Sequence, residues 1–301
     1  MLKLKHKSFA LLLLLIVLVS SSCWKRSEKK SSSETENIPV FHTWNSLKER
    51  DYGIPVHPSP ETRPPPGFFP WAGIVSHHLL AHDYIDSWFS RLADMREVQI
   101  FYILSPSHFG LSLEPYSLTD GSWDSGFGLV ESDKAKTYKL ANFFNVILDT
   151  KVFEFEHGVS VFMPYIKKYF PKAKVTAIAY GGESPVNIPI ALLLAEAMEK
   201  EFDENGKQEN FLLISADFSH RGNLEQTQKK DEASRLYLEN SAGASWNMAN
   251  CDNRPGIFVL NQLGKNNLET VILYHTNSWE IANEGADDIT SYFFVYFADK
   301  N

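Results

Sequence analysis

Three stretches of the sequence place a histidine or an acid directly after a run of apolar residues. The run "GIVS" leads into His77 and His78, "FYIL" leads into "SPSH" with His108, and "FLLIS" leads into "ADFSH" with Asp217 and His220. Imidazoles and carboxylates bind transition metals and also transfer protons. The three run ends together predict one shared metal-binding or acid–base site.

Each of these residues also has an ordinary structural interpretation. Asp217 could cap the turn that follows it, "SPSH" could be a proline turn, and His78 could only pack. His157, in "FEHGVSVFMPY", precedes a predicted helix and could cap or orient it. Repetition favours function, because three separate runs end in the same way.

Cys251 adds a fourth type of ligand. It lies in "MANCDNRPG", just before a predicted helix, where the helix N-terminus would lower the pKa of the thiol and favour a thiolate. Two imidazoles and a thiolate would suit iron, copper or zinc. The alternative is a buried, inert thiol.

The elements that must position these residues alternate between strands and helices. Strands are predicted at 72–76, 98–104, 174–180, 210–215, 269–274 and 291–297, and helices at 83–95, 133–148, 158–170, 188–202, 227–240 and 255–264. This alternation predicts an α/β fold with a mainly parallel central sheet covered by helices. Because ligands sit beyond the carboxyl ends of parallel strands, the candidate residues should share one sheet edge.

Five motifs, in order, resemble those of the Memo-like family, called AmmeMemoRadiSam system protein B in bacteria and archaea. They are "IVSHHLLAH", "ILSPSHFG", "EHGVSVFMPY", "SADFSHRG" and "NCDNRPG". The resemblance runs from about residue 70 to 298. Ser76 replaces the family's usual proline, and Phe162 stands where the family has a second histidine.

The resemblance implies a fold similar to class III extradiol ring-cleaving dioxygenases, which hold non-haem Fe(II). It implies His77, His108 and Cys251 as metal ligands, with Asp217 and His220 lining the same pocket as the catalytic pair. His78 and His157 are additional pocket residues. A cysteine in place of a carboxylate argues against ring cleavage, so we expect a divalent or copper ion, with iron or copper favoured over zinc.

The N-terminus is typical of a bacterial lipoprotein signal. Residues 1–22 contain three lysines, an apolar run and small residues before Cys23, although Ser20 departs from the usual leucine. We expect a lipid on Cys23, a tether and proline-rich lead-in over 23–66, and a Memo-like domain over 67–301. Simple cleavage and an uncleaved anchor are the alternatives. The protein would be exported and anchored to a membrane.

Charge and residue chemistry define the expected partners. The net charge of −8 argues against a nucleic-acid surface. The expected partners are a metal ion, an unidentified small molecule or peptide, and the membrane. Three functions remain open: a metal-dependent oxidoreductase-type pocket in which His220 is the acid–base group, a non-enzymatic tethered binding module or metal buffer, and a relic pocket.

Overall fold

The strands of the central sheet are built from aromatic and β-branched residues with few interruptions. The computed structural model describes residues 38–42, 56–110, 115–181, 187–240 and 248–300, all within one unit, Ile38–Asn301. Its strands are β1 Val40–His42, β2 Ala72–Val75, β3 Ile100–Pro106, β4 Tyr116–Leu118, β5 Ser122–Asp124, β6 Leu129–Glu131, β7 Lys174–Tyr180, β8 Asn210–Ser215, β9 Leu268–Asn277 and β10 Ser291–Asp299.

Helices follow most of the long strands. They are α1 His82–Met95, α2 Lys134–Phe144, α3 Thr150–Phe155, α4 His157–Ser160, α5 Met163–Tyr169, α6 Ile188–Met198, α7 Gly206–Glu209, α8 Leu224–Glu239, α9 Arg254–Leu263 and α10 Ser278–Ala282. Short 3₁₀ turns cover Leu79–Ala81 and Glu199–Phe202. None of the described helices has the length and apolar character needed to cross a membrane.

The main sheet has seven strands in the order β4-β7-β3-β8-β2-β10-β9. Its centre is parallel, because β7, β3, β8 and β2 pair in parallel with their neighbours. Antiparallel strands flank this centre: β4 on one side, and β10 and β9 on the other. A second sheet joins β1, β5 and β6. The predicted α/β fold with a parallel, helix-covered centre is therefore confirmed.

Both faces of the main sheet are covered. Phe101 and Ile103 of β3 point to the face covered by α1 and α5, whereas Tyr102 and Leu104 point to the face covered by α2, α6, α8 and α9. Successive side chains of a strand point to opposite faces, so a strand buried on both sides is apolar throughout. All six residues of β8 are buried for this reason.

One predicted helix is divided in the structure. The stretch 158–170 forms α4 and α5, with Val161 and Phe162 between them. Pro164 lies in the first turn of α5 and has no N–H to continue an earlier helix. The helix predicted over 133–148 likewise ends early, at Phe144, because Asn145 adopts a left-handed conformation with φ 54°.

Candidate metal centre

The candidate residues lie at one edge of the sheet because their strands are parallel neighbours. β3, β8 and β2 are adjacent, with Leu104 paired to Ile214 and Val75 paired to Ser215. His77 lies two residues beyond the end of β2, and His108 lies two residues beyond the end of β3. The strand order confirms the prediction that the three strand ends meet at the same edge.

Three imidazoles converge there. The ring centroids of His77 and His108 are 4.6 Å apart, and those of His108 and His157 are 4.2 Å apart. His157 also lies 5.2 Å from His77, and one nitrogen of each ring lies within 4.8 Å of the other two. The structure therefore brings His157, an additional pocket residue in the sequence analysis, into the same group as His77 and His108.

Hydrogen bonds to the Nδ1 atoms orient two of these rings. His77 Nδ1 lies 2.9 Å from Ser215 Oγ, and His108 Nδ1 lies 2.6 Å from Glu156 Oε1. We assign a proton to Nδ1 in both rings, which leaves Nε2 as the nitrogen that faces the pocket. A carboxylate or hydroxyl on the outer nitrogen is the arrangement that orients metal-binding histidines.

Glu156 has its place in the pocket because it also begins a helix. Its side chain accepts the backbone N–H of Gly158 at 2.8 Å as the N-cap of α4, and the backbone N–H of His108 at 2.8 Å. An N-cap carboxylate satisfies an amide that would otherwise lack a partner. The carboxylate thus links the start of α4 to the loop after β3.

Two further carboxylates face His77. Its Nε2 lies 3.4 Å from Asp252 Oδ2 and 3.6 Å from Asp217 Oδ2, and Asp252 Oδ2 lies 3.8 Å from His108 Nε2. The other Asp217 oxygen accepts the hydroxyl of Ser76 at 2.6 Å. The pocket therefore combines imidazole nitrogens with carboxylate oxygens.

Burial and mutual proximity shift the pKa values of the imidazoles. Burial lowers the pKa of His77 well below its usual value, and the neighbouring histidines lower it further. Burial, with His108 beside it, lowers the pKa of His157 to about 4. His77 and His157 are thus neutral at pH 7, the form that binds metals. Burial alone would lower the pKa of His108, but the carboxylates of Asp252 and Glu156 raise it to about 10.

The carboxyl groups respond in the opposite direction. Burial raises the pKa of Asp217, and the charge of nearby Asp252 raises it further. Burial also raises the pKa of Asp252, although His108 opposes this change. Two carboxylates close together in a largely buried pocket are stabilised when a cation binds beside them.

His78 and His220 flank the three-histidine group. The His78 ring bonds to the hydroxyl of Tyr292, and its backbone N–H donates to Ser76 Oγ at 3.0 Å. His220 is exposed, yet its charge lowers the pKa of both His77 and His78, so it lies close to the same pocket. Asp217 itself contacts Ser76 and His77.

Cys251 is partly buried and packs against the core cluster on the face of the sheet that α9 covers. Burial raises the pKa of its thiol, and the charge of Asp252 raises it further. In the described part of the chain, Cys251 does not belong to the three-ligand group formed by His77, His108 and His157. Its role as a metal ligand stays a prediction from the sequence.

Sequence reasoning missed Glu156 and Asp252. Both directly adjoin residues that it selected: Glu156 precedes His157, and Asp252 follows Cys251. An acid beside a candidate ligand in two separate motifs was the available signal. Ser76, Ser215 and Tyr292, which hold His77, His78 and Asp217, carry no distinguishing pattern in the sequence.

The residues present fit a metal ion. Three imidazole nitrogens lie within 4.8 Å of one another. Hydrogen bonds to Nδ1 fix two of the rings, and carboxylate oxygens lie 3.4 to 3.8 Å from the nitrogens that face the pocket. Imidazole and carboxylate donors together suit iron, manganese and zinc. We identify these residues as a candidate metal centre.

Fold and site together define an α/β protein with a candidate metal centre at the carboxyl edge of the parallel strands of a mixed sheet. The chain belongs to the Memo-like family, because the family's model, described as Memo-like protein, matches residues 75–248. That region begins at the last residue of β2 and includes β3, β7 and β8, together with His77, His108, His157, Asp217 and His220.

The chain is similar to several relatives named MEMO1 family protein. The chain is 27% identical over 150 residues to one from Pyrobaculum aerophilum, covering 49% of this chain and 52% of that protein. It is 28% identical over 170 residues to one from Caldivirga maquilingensis, covering 54% and 55%. One from Saccharolobus solfataricus is 30% identical over 166 residues, covering 54% and 56%. The chain thus spans about half the length of the curated relatives that it matches.

Proposed function

We propose that this protein is an AmmeMemoRadiSam system protein B that binds one metal ion in a dioxygenase-like pocket, and that the metal centre is redox-active. The observation that carries the proposal is the convergence of His77, His108 and His157, with Ser215 and Glu156 behind two of the rings. Imidazoles held in a fixed arrangement can bind a metal without a large rearrangement, and the ion displaces any proton on the nitrogen that binds it.

The bound ion would supply Lewis-acid or redox chemistry. The chain's own residues would handle protons and the ligand. Asp217, with its Oδ1 held by Ser76, and exposed His220 are the candidate proton-transfer groups. Phe109 has an exposed ring 5.8 Å from His157, so the mouth of the pocket can contact the apolar part of an organic ligand.

We further propose that the protein works outside the cytoplasm, tethered by a lipid on Cys23. The charged start, the apolar run and the small residues before Cys23 support this proposal. These residues lie outside the part of the chain that the structure describes. The proposed partners are the metal ion, the membrane and a small molecule or peptide that enters the pocket.

The experiment is anaerobic equilibrium dialysis of the full-length protein against Fe(II), Zn(II), Mn(II) or Cu(I), followed by elemental analysis. We expect one ion per chain. His77→Ala and His108→Ala should remove it, whereas His42→Ala should not, because the His42 side chain is 85% exposed and lies in the second sheet. A chain that binds none of the four ions would contradict the proposal.

Oxygen uptake by the metal-loaded protein then tests the redox part, with a simple catechol as the probe. His220→Ala should keep the ion, because His220 is outside the three-histidine group, but it should slow any uptake. Stoichiometric binding without uptake, in this assay and with other organic reductants, would favour the alternative function, a tethered metal buffer or binding module.

A further inference from the structure

Helix α6 is almost entirely apolar, although one side of it faces solvent. Of its eleven residues, Glu196 alone is charged. Its buried residues belong to the core on that face of the sheet, whereas Leu192 and Leu193 are 41% and 47% exposed. A helix that is apolar on all sides is normally covered on all sides. Two adjacent exposed leucines on such a helix favour a surface that another molecule covers.

Leu192 forms one wall of a groove between α6 and α9, which we call the α6–α9 groove. The groove has a volume of about 300 Å³. One side of it is a stripe of residues that begins in α6 and continues into the 3₁₀ turn after it: Leu192, Ala195, Glu196 and Glu199. Residues three, four and seven positions apart lie along one face of a helix. Phe202 and Leu263 complete the apolar floor.

Acidic side chains form the rim of the α6–α9 groove. Three carboxylates line it, those of Glu196, Glu199 and Asp203, against the single ammonium group of Lys265. All four residues are exposed. The position of Asp203 is fixed, because its Oδ1 accepts the backbone N–H of Gly206 at 2.8 Å. The groove thus combines an apolar floor with a negatively charged rim.

The ends of two helices add to the negative charge of this rim. α6 runs from the end of β7 towards the start of β8, and α9 runs from Asn253, which bonds to Ser215 at the end of β8, towards the start of β9. Both helices therefore end at the sheet edge opposite the candidate metal centre. The last turn of a helix carries a partial negative charge, so carboxylates beside it repel that charge. A basic partner would relieve this repulsion.

We propose that the α6–α9 groove docks a basic amphipathic helix of a partner protein. Such helices enter apolar grooves through side chains three and four positions apart. Lysine or arginine side chains beside these anchors would meet Glu196, Glu199 and Asp203. Opposite charges across an interface attract the right partner and fix its orientation. The inference goes beyond the proposed function and does not depend on a bound metal ion.

The probe is a fluorescently labelled peptide of leucine and lysine, about 18 residues long, that forms an amphipathic helix. Its binding to the full-length protein is measured by fluorescence anisotropy. We expect one peptide per chain and binding that weakens as the salt concentration rises. The peptide with glutamate in place of lysine should not bind. The double variant Glu196→Lys, Glu199→Lys should weaken binding at least about 10-fold, because like charges across an interface repel. The control Glu154→Lys, Glu232→Lys makes the same change in net charge at exposed positions outside the groove and should retain binding.

A second pair of variants separates the groove from the rest of α6. Leu192→Gln should weaken binding about 5-fold, because the docked peptide would bury part of this leucine. Leu193→Gln should not, because Leu193 does not line the groove. Thermal melts check that the variants fold.

Three results would overturn the inference. The first is a peptide affinity that no variant changes, and the second is an equal loss in Leu192→Gln and Leu193→Gln or in the two charge-reversal proteins. The third is self-association of the unaltered protein that Glu196→Lys, Glu199→Lys abolishes, which would assign the groove to a second copy of this chain.

Discussion

The Glu156 carboxylate serves three donors at once: the backbone N–H of His108, its ring Nδ1 and the backbone N–H of Gly158. The side chain is 1% exposed, so these hydrogen bonds are shielded from water. A buried acceptor with three donors is expensive to alter, because each donor left behind loses a partner. Glu156 therefore determines which nitrogen of His108 faces the pocket.

Glu156→Gln tests this role. Glutamine replaces one acceptor oxygen with a donor, so either the backbone N–H of His108 or the two donors that share Oε1 lose their acceptor. We expect metal affinity to fall about 10- to 100-fold, as for other groups behind a ligand, and the free energy of unfolding to fall about 1–3 kcal/mol. Chelator competition and urea unfolding are the measurements. Exposed Glu154→Gln is the matched control. If both variants have the same metal affinity and the same free energy of unfolding, Glu156 does not orient His108.

At the scale of elements, the pocket depends on the close approach of α4 to β3. A Cβ on Gly158 would lie 2.3 Å from Ser105 Oγ and 3.1 Å from His108 Cε1. Another connection comes from Asp231 of α8, whose carboxylate accepts the hydroxyls of Ser219 and Ser291, both at 2.6 Å. Asp231 thereby holds the segment carrying Asp217 and His220 against β10.

Gly158→Ala should displace α4 from β3 and disturb His108. We expect a loss of stability of about 1–3 kcal/mol, as for other overpacked cores, together with weaker metal binding. The double variant Gly158→Ala, Ser105→Ala removes the 2.3 Å contact and should recover part of both losses. A single variant with unchanged melting and metal affinity would show that the close approach is not required.

Glu201 makes a pH-dependent connection between α2 and the 3₁₀ turn after α6. Lys136 Nζ and Lys139 Nζ each lie 2.5 Å from one of its oxygens. Burial alone would raise the pKa of Glu201, but the two ammonium groups lower it below the usual value. A lowered carboxyl pKa contributes stability that is complete above the unfolded-state pKa of about 4.3 and is lost as the pH falls through the folded-state pKa.

Glu201→Gln should therefore lower the free energy of unfolding by about 1 kcal/mol at pH 7, after allowance for solvent screening of the lysines. The difference from the unaltered protein should shrink below about pH 4, where the carboxyl begins to protonate. Urea unfolding at several pH values measures this, with exposed Glu199→Gln as the control. A difference that is independent of pH would mean that packing, not the ion pairs, supplies the effect.

At the scale of the whole molecule, the sequence predicted the strands and helices whose residue pattern is periodic. It missed contacts between segments that are far apart in the sequence. β7 and β8 occur where the runs "KVTAIAY" and "NFLLIS" place them, and the strand-end histidines follow from that. β1, β4, β5 and β6 have three residues each, too few to show alternation. The position of Asp252 depends on its neighbour Asn253, whose side chain bonds to Leu104 of β3 and to Ser215 of β8. These two partners lie 149 and 38 positions before Asn253 in the sequence.

Anchoring is the other whole-molecule question. Changing Cys23→Ser should release the protein from membranes or leave its precursor uncleaved, because the proposed lipid attaches to that sulfur. Cell fractionation and metabolic labelling with a fatty acid are the measurements, and Cys251→Ser is the matched cysteine control. Unaltered protein in the soluble fraction, without fatty-acid label, would contradict the tether.

The metal centre itself is tested most directly by X-ray absorption at the zinc edge, on full-length protein loaded with one equivalent of Zn(II). The account predicts nitrogen and oxygen neighbours at about 2.0–2.2 Å, with the outer scattering of imidazole rings. His77→Ala should reduce the imidazole scattering. A shell without imidazole would contradict an ion held by His77, His108 and His157, whereas a sulfur neighbour at about 2.3 Å would add Cys251 to the ligands.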